Sequence, residues 1–203
     1  NWHKLNINGR IYLAKEGINA QFSCPEHNWD KLLLTLKEFD YLNDVPLKIA
    51  VEDDGKSFIK LTIKVRHKIL ADGMDDNSYD TENVGNHLTA AEWNTHINNP
   101  NTIVVDVRNH FEHEIGHFKN AICAESDTFR EDLPKINDLL KGQEDKKILL
   151  YCTGGIRCEK TSAYLRHEGF EDVNQLHGGI IDYVRQVKNE NLENGFVGKN
   201  FVF

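Results

Sequence analysis

Six consecutive residues, Cys152-Thr153-Gly154-Gly155-Ile156-Arg157, contain what a reactive cysteine needs. Cysteine attacks as the thiolate, and an ordinary thiol, with a pKa of about 8.5, is mostly protonated at neutral pH. The apolar run Ile148-Leu149-Leu150-Tyr151 predicts a strand directly before Cys152, and a helix is predicted from about Cys158 to His167. That order sets the sulfur at the carboxyl edge of a parallel sheet, where ligand sites form in open α/β folds. Gly154 and Gly155 let the backbone curl so that successive N–H groups point inward, reinforced by the positive end of the following helix. Thr153, Gly154, Gly155 and Ile156 are therefore the expected anion cradle, and Arg157 adds a fixed positive charge. A cysteine so placed is expected to ionise somewhere between about 3.5 and 7.5. The competing reading is a buried, inert strand-end cysteine. Two glycines and an arginine argue against it, because glycine opening a helix costs about 1 kcal/mol relative to alanine.

Cys-x4-Arg is one residue shorter than the Cys-x5-Arg loop that surrounds a phosphoryl group in cysteine-dependent phosphatases, so the cradle suits a sulfur atom better. Cys158 follows Arg157 directly. It is a candidate redox partner able to resolve a sulfenate or disulfide, although neighbouring helical residues diverge and a structural role is favoured.

Other residue types are weighed the same way. His113 and His117, among His110, Glu112 and Glu114, have an i, i+4 spacing suited to a metal, but Gly116 interrupts the helix and no metal site is expected. Asp106 and Arg108 end a strand near the cysteine and read as a structural ion pair. Lys60, Lys64 and Arg66 alternate with Leu61, Ile63 and Val65, which predicts a basic strand face for phosphate contacts or, equally, a solvated one. Phe129 and Arg130 are an aromatic-arginine pair that would stack or clamp a base, unless Phe129 is core.

The elements that must position these groups fall into two halves. Arg10 to Phe22 reads as two extended pieces around a Lys15-Glu16-Gly17 turn, and Trp29, Leu32, Leu33, Leu36 and Phe39 repeat at helical spacing. Leu47 to Val51 and Phe58 to Val65 read as further strands around Asp53-Asp54-Gly55. This content predicts a small α+β sandwich of ferredoxin-like type over residues 1–75, with a second helix expected upstream of the first residue. From Ala71 to Asn86 the chain is acidic and aperiodic, which marks a domain boundary. The second half, 86–203, alternates strands with helices and predicts a parallel sheet: Thr89-Ala90-Ala91-Glu92 opens a helix as a capping box, Thr102 to Val107, Lys147 to Tyr151 and Val173 to Leu176 are strands, and Gly178-Gly179 introduces a helix through about Lys188.

The bulk numbers bound the function. Of 203 residues, 39% are hydrophobic and 28% charged, ordinary values for a globular protein. No apolar run approaches the roughly 20 residues of a membrane span, so no membrane association is expected. The net charge of −8 repels polyanions, so any RNA contact must be local. Cys24, Cys123, Cys152 and Cys158 form no CxxC pair, and without a secretory signal they read as free thiols in a cytoplasmic protein. The chain has no initiator methionine and reads as a fragment.

Asp106-Val107-Arg108, Glu112, Gly116-His117-Phe118, the loop at Cys152, Gly169-Phe170 with Val173, and Leu176-x-Gly178-Gly179 resemble a rhodanese domain over about Leu88 to Lys188. Glu16-Gly17-Ile18-Asn19-Ala20, Asp127-Thr128-Phe129-Arg130-Glu131 and Cys152 through Lys160 are similar to the bacterial tRNA uridine hydroxylase family, across both halves. That resemblance implies oxygen-dependent hydroxylation of the wobble uridine at C5, giving 5-hydroxyuridine in the tRNA anticodon, with Cys152 as the essential cysteine. It also implies an acylphosphatase-like N-terminal domain, and the family starts earlier than this chain and continues past the segment resembling Gly195 to Phe203 into a cysteine-rich tail. Molecular oxygen is then the co-substrate. No flavin, nicotinamide or haem motif is present, so no bound cofactor is expected and the electron or sulfur donor stays open. Two other readings stand beside this one: sulfur transfer through a Cys152 persulfide, and a noncatalytic partner-docking rhodanese module, which would be expected to lose the cysteine.

Overall fold

A computed structural model describes residues 2–43, 45, 47–49 and 58–200. Contacts divide the chain into two compact units, one running to Ile69 and the other beginning at Leu70.

In the first unit, β1 (Asn8–Ala14) and β2 (Gly17–Ser23) form an antiparallel hairpin, and β3 (Leu61–Val65) joins β1 in parallel on its other side. Helix α1 (Trp29–Lys37) buries Leu32 completely, and Ile7 and Ile11 are buried with it. Trp2 ties helix to sheet: its indole N–H donates to Thr35 Oγ1 at 3.3 Å, and its ring packs on Phe22 at 5.1 Å. The anticipated hairpin and helix are present. The alternation along β3 does not bury its apolar side, because Ile63 is 56% and Val65 83% exposed. Leu47 to Ile49 form no strand, and the rest of that anticipated strand and the Asp53-Asp54-Gly55 turn lie outside the described residues.

The second unit is a five-stranded parallel sheet of order β4-β9-β8-β5-β7, formed by Asn86–Leu88, Val173–Leu176, Lys147–Tyr151, Thr102–Asp106 and Ile122–Cys123. A two-stranded ribbon of β6 (Gly116–Phe118) and β10 (Phe196–Gly198) accompanies it. A parallel sheet is covered on both faces, so its strands read as continuous apolar runs, as in Ile148-Leu149-Leu150-Tyr151. Ile148 and Leu150 pack with Leu133, Ile136 and Leu140 of α4 (Phe129–Leu140) and with Ala163 and Leu165 of α5 (Ile156–His167). Leu149 and Tyr151 pack with Trp93 of α2 (Ala90–His96) and with Ile180 and Tyr183 of α6 (Gly179–Glu190). The Thr89–Glu92 capping box opens α2 as read.

The acidic stretch after Ile69 is part of this packing. Asp72 is 1% exposed, pairs with Lys160 of α5 at 3.1 Å and accepts the Tyr79 hydroxyl at 3.1 Å, while Leu70, Met74 and Val84 lie against the core.

Candidate active site

Strand β8 ends at Tyr151, Cys152 follows, and α5 begins at Ile156, so the loop between them lies at the carboxyl edge of the sheet. Gly155 is the residue this turn requires. Its φ is +102°, a conformation that side-chain-bearing residues rarely adopt, and its N–H donates to Cys152 Sγ at 3.1 Å. The N–H and thiol of Cys158 also favour the anion of this sulfur. Burial, the largest influence, opposes ionisation of Cys152; the Cys158 thiol, the charge of Arg157 and the two main-chain N–H groups outweigh it and bring the pKa to about 6. Cys158 titrates in the opposite sense, pushed well up by burial and by the neighbouring Cys152 sulfur, so it stays a thiol that can donate.

The arrangement departs from the sequence reading in three ways. Cys152 does not stand open at the mouth of the domain: it is 1% exposed, enclosed by its own loop, whose Thr153, Gly154, Ile156 and Arg157 are half-buried. Cys158, fully buried in the core as its favoured structural role requires, nevertheless bears on Cys152, whose anion its thiol and N–H favour. Arg157, though it contributes charge, aims its hydrogen bonds away from the sulfur, at Glu112 (Nη1 to Oε2 at 2.7 Å and Nη2 to Oε1 at 3.1 Å) and at Thr153 Oγ1 (from Nη2 at 3.4 Å). Thr153 Oγ1 also donates to Glu112 Oε1, at 3.2 Å. Glu112 comes from α3 (His110–Ile115) and is 2% exposed.

Two further supports carry weak sequence signals. Gly179 opens α6 with φ +68°, and a Cβ there would lie 2.6 Å from the carbonyl oxygens of both Cys152 and Thr153. Its absence lets the Ile180 and Ile181 N–H groups donate to those carbonyls at 3.0 and 3.2 Å, turning the loop's carbonyls toward α6. Gly178-Gly179 was legible as a helix start; its grip on the cysteine loop was not. The second support lies beneath the β5 end. Asp106, fully buried, accepts from Arg108 Nε and Nη2 at 2.8 and 2.7 Å, from the Tyr151 hydroxyl at 2.7 Å and from His113 Nδ1 at 2.9 Å. Burial raises its pKa, but His113, Arg108 and Tyr151 win and hold the carboxyl below the usual carboxylate range. The anticipated Asp106–Arg108 pair is thus the centre of a network. His117, whose Nδ1 donates to the His113 carbonyl at 2.9 Å, stacks on the His113 ring at 4.4 Å.

Phe129 is corrected to a core residue. It is 7% exposed and packs among Leu133, Leu150 and Cys152, so its ring has no free face for a base. Arg130, next to it, is exposed. Asp132 of the same helix accepts the Ser126 hydroxyl and is buried; desolvation pushes it up to about 6 against the pull of Ser126 and Arg157. Burial, helped by Asp106 and Asp132, pushes Cys123 up to about 12, which leaves Cys152 as the anionic sulfur of this edge.

Residues 89–186 match the family model for the rhodanese-like domain, and residues 1–69 match the UPF0176 acylphosphatase-like domain. The second half of the chain is thus similar to rhodanese-like domains and the first half to the acylphosphatase-like domain of the UPF0176 proteins. Three relatives named tRNA uridine(34) hydroxylase are similar to it throughout: one from Leptospira interrogans, 58% identical over 100% of this chain and 55% of its own length; one from Escherichia fergusonii, 52% identical over 98% and 57%; and one from Yersinia pestis, 52% identical over 98% and 57%. The chain therefore spans a little over half the length of the curated relatives it matches. Among the described residues, no helix is long and apolar enough to cross a membrane.

Proposed function

We propose that this chain is the rhodanese-bearing part of a cytoplasmic tRNA-modifying enzyme that hydroxylates the wobble uridine of the anticodon at C5, with molecular oxygen as co-substrate and Cys152 as the nucleophile. The observation that carries the reading is the placement of the Cys152 sulfur at the carboxyl edge of the sheet, with the Gly155 N–H donating to it at 3.1 Å and the half-buried Arg157 guanidinium in the same loop, a setting that favours the anion. The names of relatives at 52–58% identity supply the substrate class.

The chemistry follows from the electronics of uracil. A thiolate adds to the electron-poor C6, which makes C5 a carbanion equivalent. C5 then takes one oxygen atom from an oxygen-derived electrophile. Loss of the C5 proton and expulsion of the Cys152 thiolate restore the C5–C6 double bond, and an external two-electron donor reduces the second oxygen atom to water. In this sequence Arg157 and the loop donors hold the sulfur as an anion before addition and receive it again as the leaving group. The enclosure of Cys152 requires its loop to open before a base can reach the sulfur.

That same enclosure favours one second reading, sulfur transfer. A persulfide on Cys152 would carry the reactive sulfur one bond outward, and a persistent gain of one sulfur on the intact protein in the absence of RNA would support it. Nucleoside analysis of tRNA separates the two. In cells lacking the gene, the intact protein should restore 5-hydroxyuridine derivatives and Cys152→Ser should not. Restoration by Cys152→Ser would sink the hydroxylase reading.

A further inference from the structure

The sheet of the first unit has a face that the cysteine chemistry does not use. The register sets Arg10 opposite Gln21 and Thr62, and Tyr12 opposite Asn19 and Lys64. Side chains alternate along strands, so these residues share one face while Ile11, 5% exposed, points to the other. The Arg66 guanidinium stands 5.3 Å over the Tyr12 ring and that of Arg10 stands 6.0 Å from the Phe58 ring, which puts both on the same side. Lys60 directly precedes β3, and its carbonyl accepts from the Gly9 N–H of β1 at 3.0 Å.

Arg10, Lys60, Lys64 and Arg66 are all exposed, and among the described residues none forms an ion pair. No carboxylate lies on β1, β2 or β3. The positions between the cations are neutral and polar: Asn19, Gln21 and Thr62. In a chain of net charge −8, four cations on or beside one sheet face, unpaired among the described residues, make a local positive field that the rest of the surface opposes, which attracts a polyanion at this face in particular. A lipid surface would be met by cations flanked by exposed apolar groups. Here Ile63 and Val65 lie on the opposite face by the same register, and amide and hydroxyl side chains stand where base edges and ribose hydroxyls find partners.

We propose that this sheet face docks RNA, with Arg10, Lys60, Lys64 and Arg66 taking phosphates and the Tyr12–Arg66 pair supplying a stacking platform for one unpaired base. The inference rests on the reading of tRNA as substrate and extends it, because it assigns binding to Arg10 and Tyr12 of β1 and gives the first unit a task of its own. Base stacking on an aromatic ring is tolerant of sequence, and a guanidinium over the same ring adds to it.

The test measures binding of unmodified tRNA transcript to the full-length protein across a salt series, with phosphatidylserine vesicles as a second arm. Arg10→Glu with Lys64→Glu is expected to weaken tRNA binding by at least about tenfold and to lower the slope of log K against log salt by about two. Tyr12→Ala is expected to weaken it about tenfold with the slope unchanged. The far-ultraviolet circular dichroism and melting profile should stay the same in both variants, which reports intact folding of both units. Unchanged affinity and slope in the charge-reversed variant would overturn the docking surface while leaving tRNA as substrate. Absence of tRNA binding by the wild type would overturn both. Vesicle binding lost in the charge-reversed variant, with tRNA binding retained, would assign the face to a membrane instead.

Discussion

Replacing Arg157 with alanine is expected to destabilise the protein by about 3 kcal/mol and to raise the pKa of Cys152 toward that of a free thiol. The stability loss comes from Glu112, whose carboxylate is 2% exposed and would lose both guanidinium bonds while remaining buried. Stripping one partner from a buried pair costs about 3 to 5 kcal/mol. The lower end applies because Glu112 keeps the Thr153 hydroxyl and the Asn109 N–H. The two effects can be pulled apart. Adding Glu112→Gln to Arg157→Ala removes the uncompensated charge and should recover most of the stability in urea unfolding, while the Cys152 pKa stays high. Recovery of both together would mean that Arg157 acts only through folding.

Asp106→Ala is expected to cost about 3 to 5 kcal/mol without touching the cysteine loop directly. It leaves the Arg108 guanidinium, 1% exposed, with only the Gly116 carbonyl and the Asn200 side chain, and strips His113 and Tyr151 of their acceptor. At about 2 to 4 °C per kcal/mol for a chain of this size, melting should fall by roughly 10 °C. The pH dependence has a definite sign. Asp106 ionises below the usual carboxylate range when folded, so its contribution is complete above the unfolded carboxylate value and is lost as pH falls through the lowered one. The difference in melting temperature between wild type and Asp106→Ala should therefore hold constant through mild acid and close only below it. A variant as stable as wild type at neutral pH would remove the network from the account.

What the sequence disclosed, and what it did not, follows from the range of each signal. The cysteine loop was legible because strand, glycines, arginine and helix are contiguous, and local chemistry determines local geometry there. The Thr89–Glu92 capping box was legible for the same reason. Helix α4 went unread although Phe129, Leu133, Ile136 and Leu140 repeat at helical spacing; Pro134 within it masked the period, and the aromatic-arginine pair drew Phe129 toward a binding role that its burial denies. Asp72 read as one acid in an irregular stretch, because its partners Lys160 and Tyr79 are joined to it only by the fold. Glu112 was visible as part of a pattern, yet that it would hold Arg157 from across the sheet edge was not. The same holds for Gly179, whose importance lies in a carbonyl oxygen 2.6 Å from where its Cβ would be.

The charge of one sulfur decides the chemistry, and ultraviolet thiolate absorbance measures it without requiring a reagent to enter the enclosed site. The difference between wild type and Cys152→Ser, followed across pH, should show a single ionisation with its midpoint near 6. A midpoint at or above about 8.5, the value of an unperturbed thiol, would contradict it.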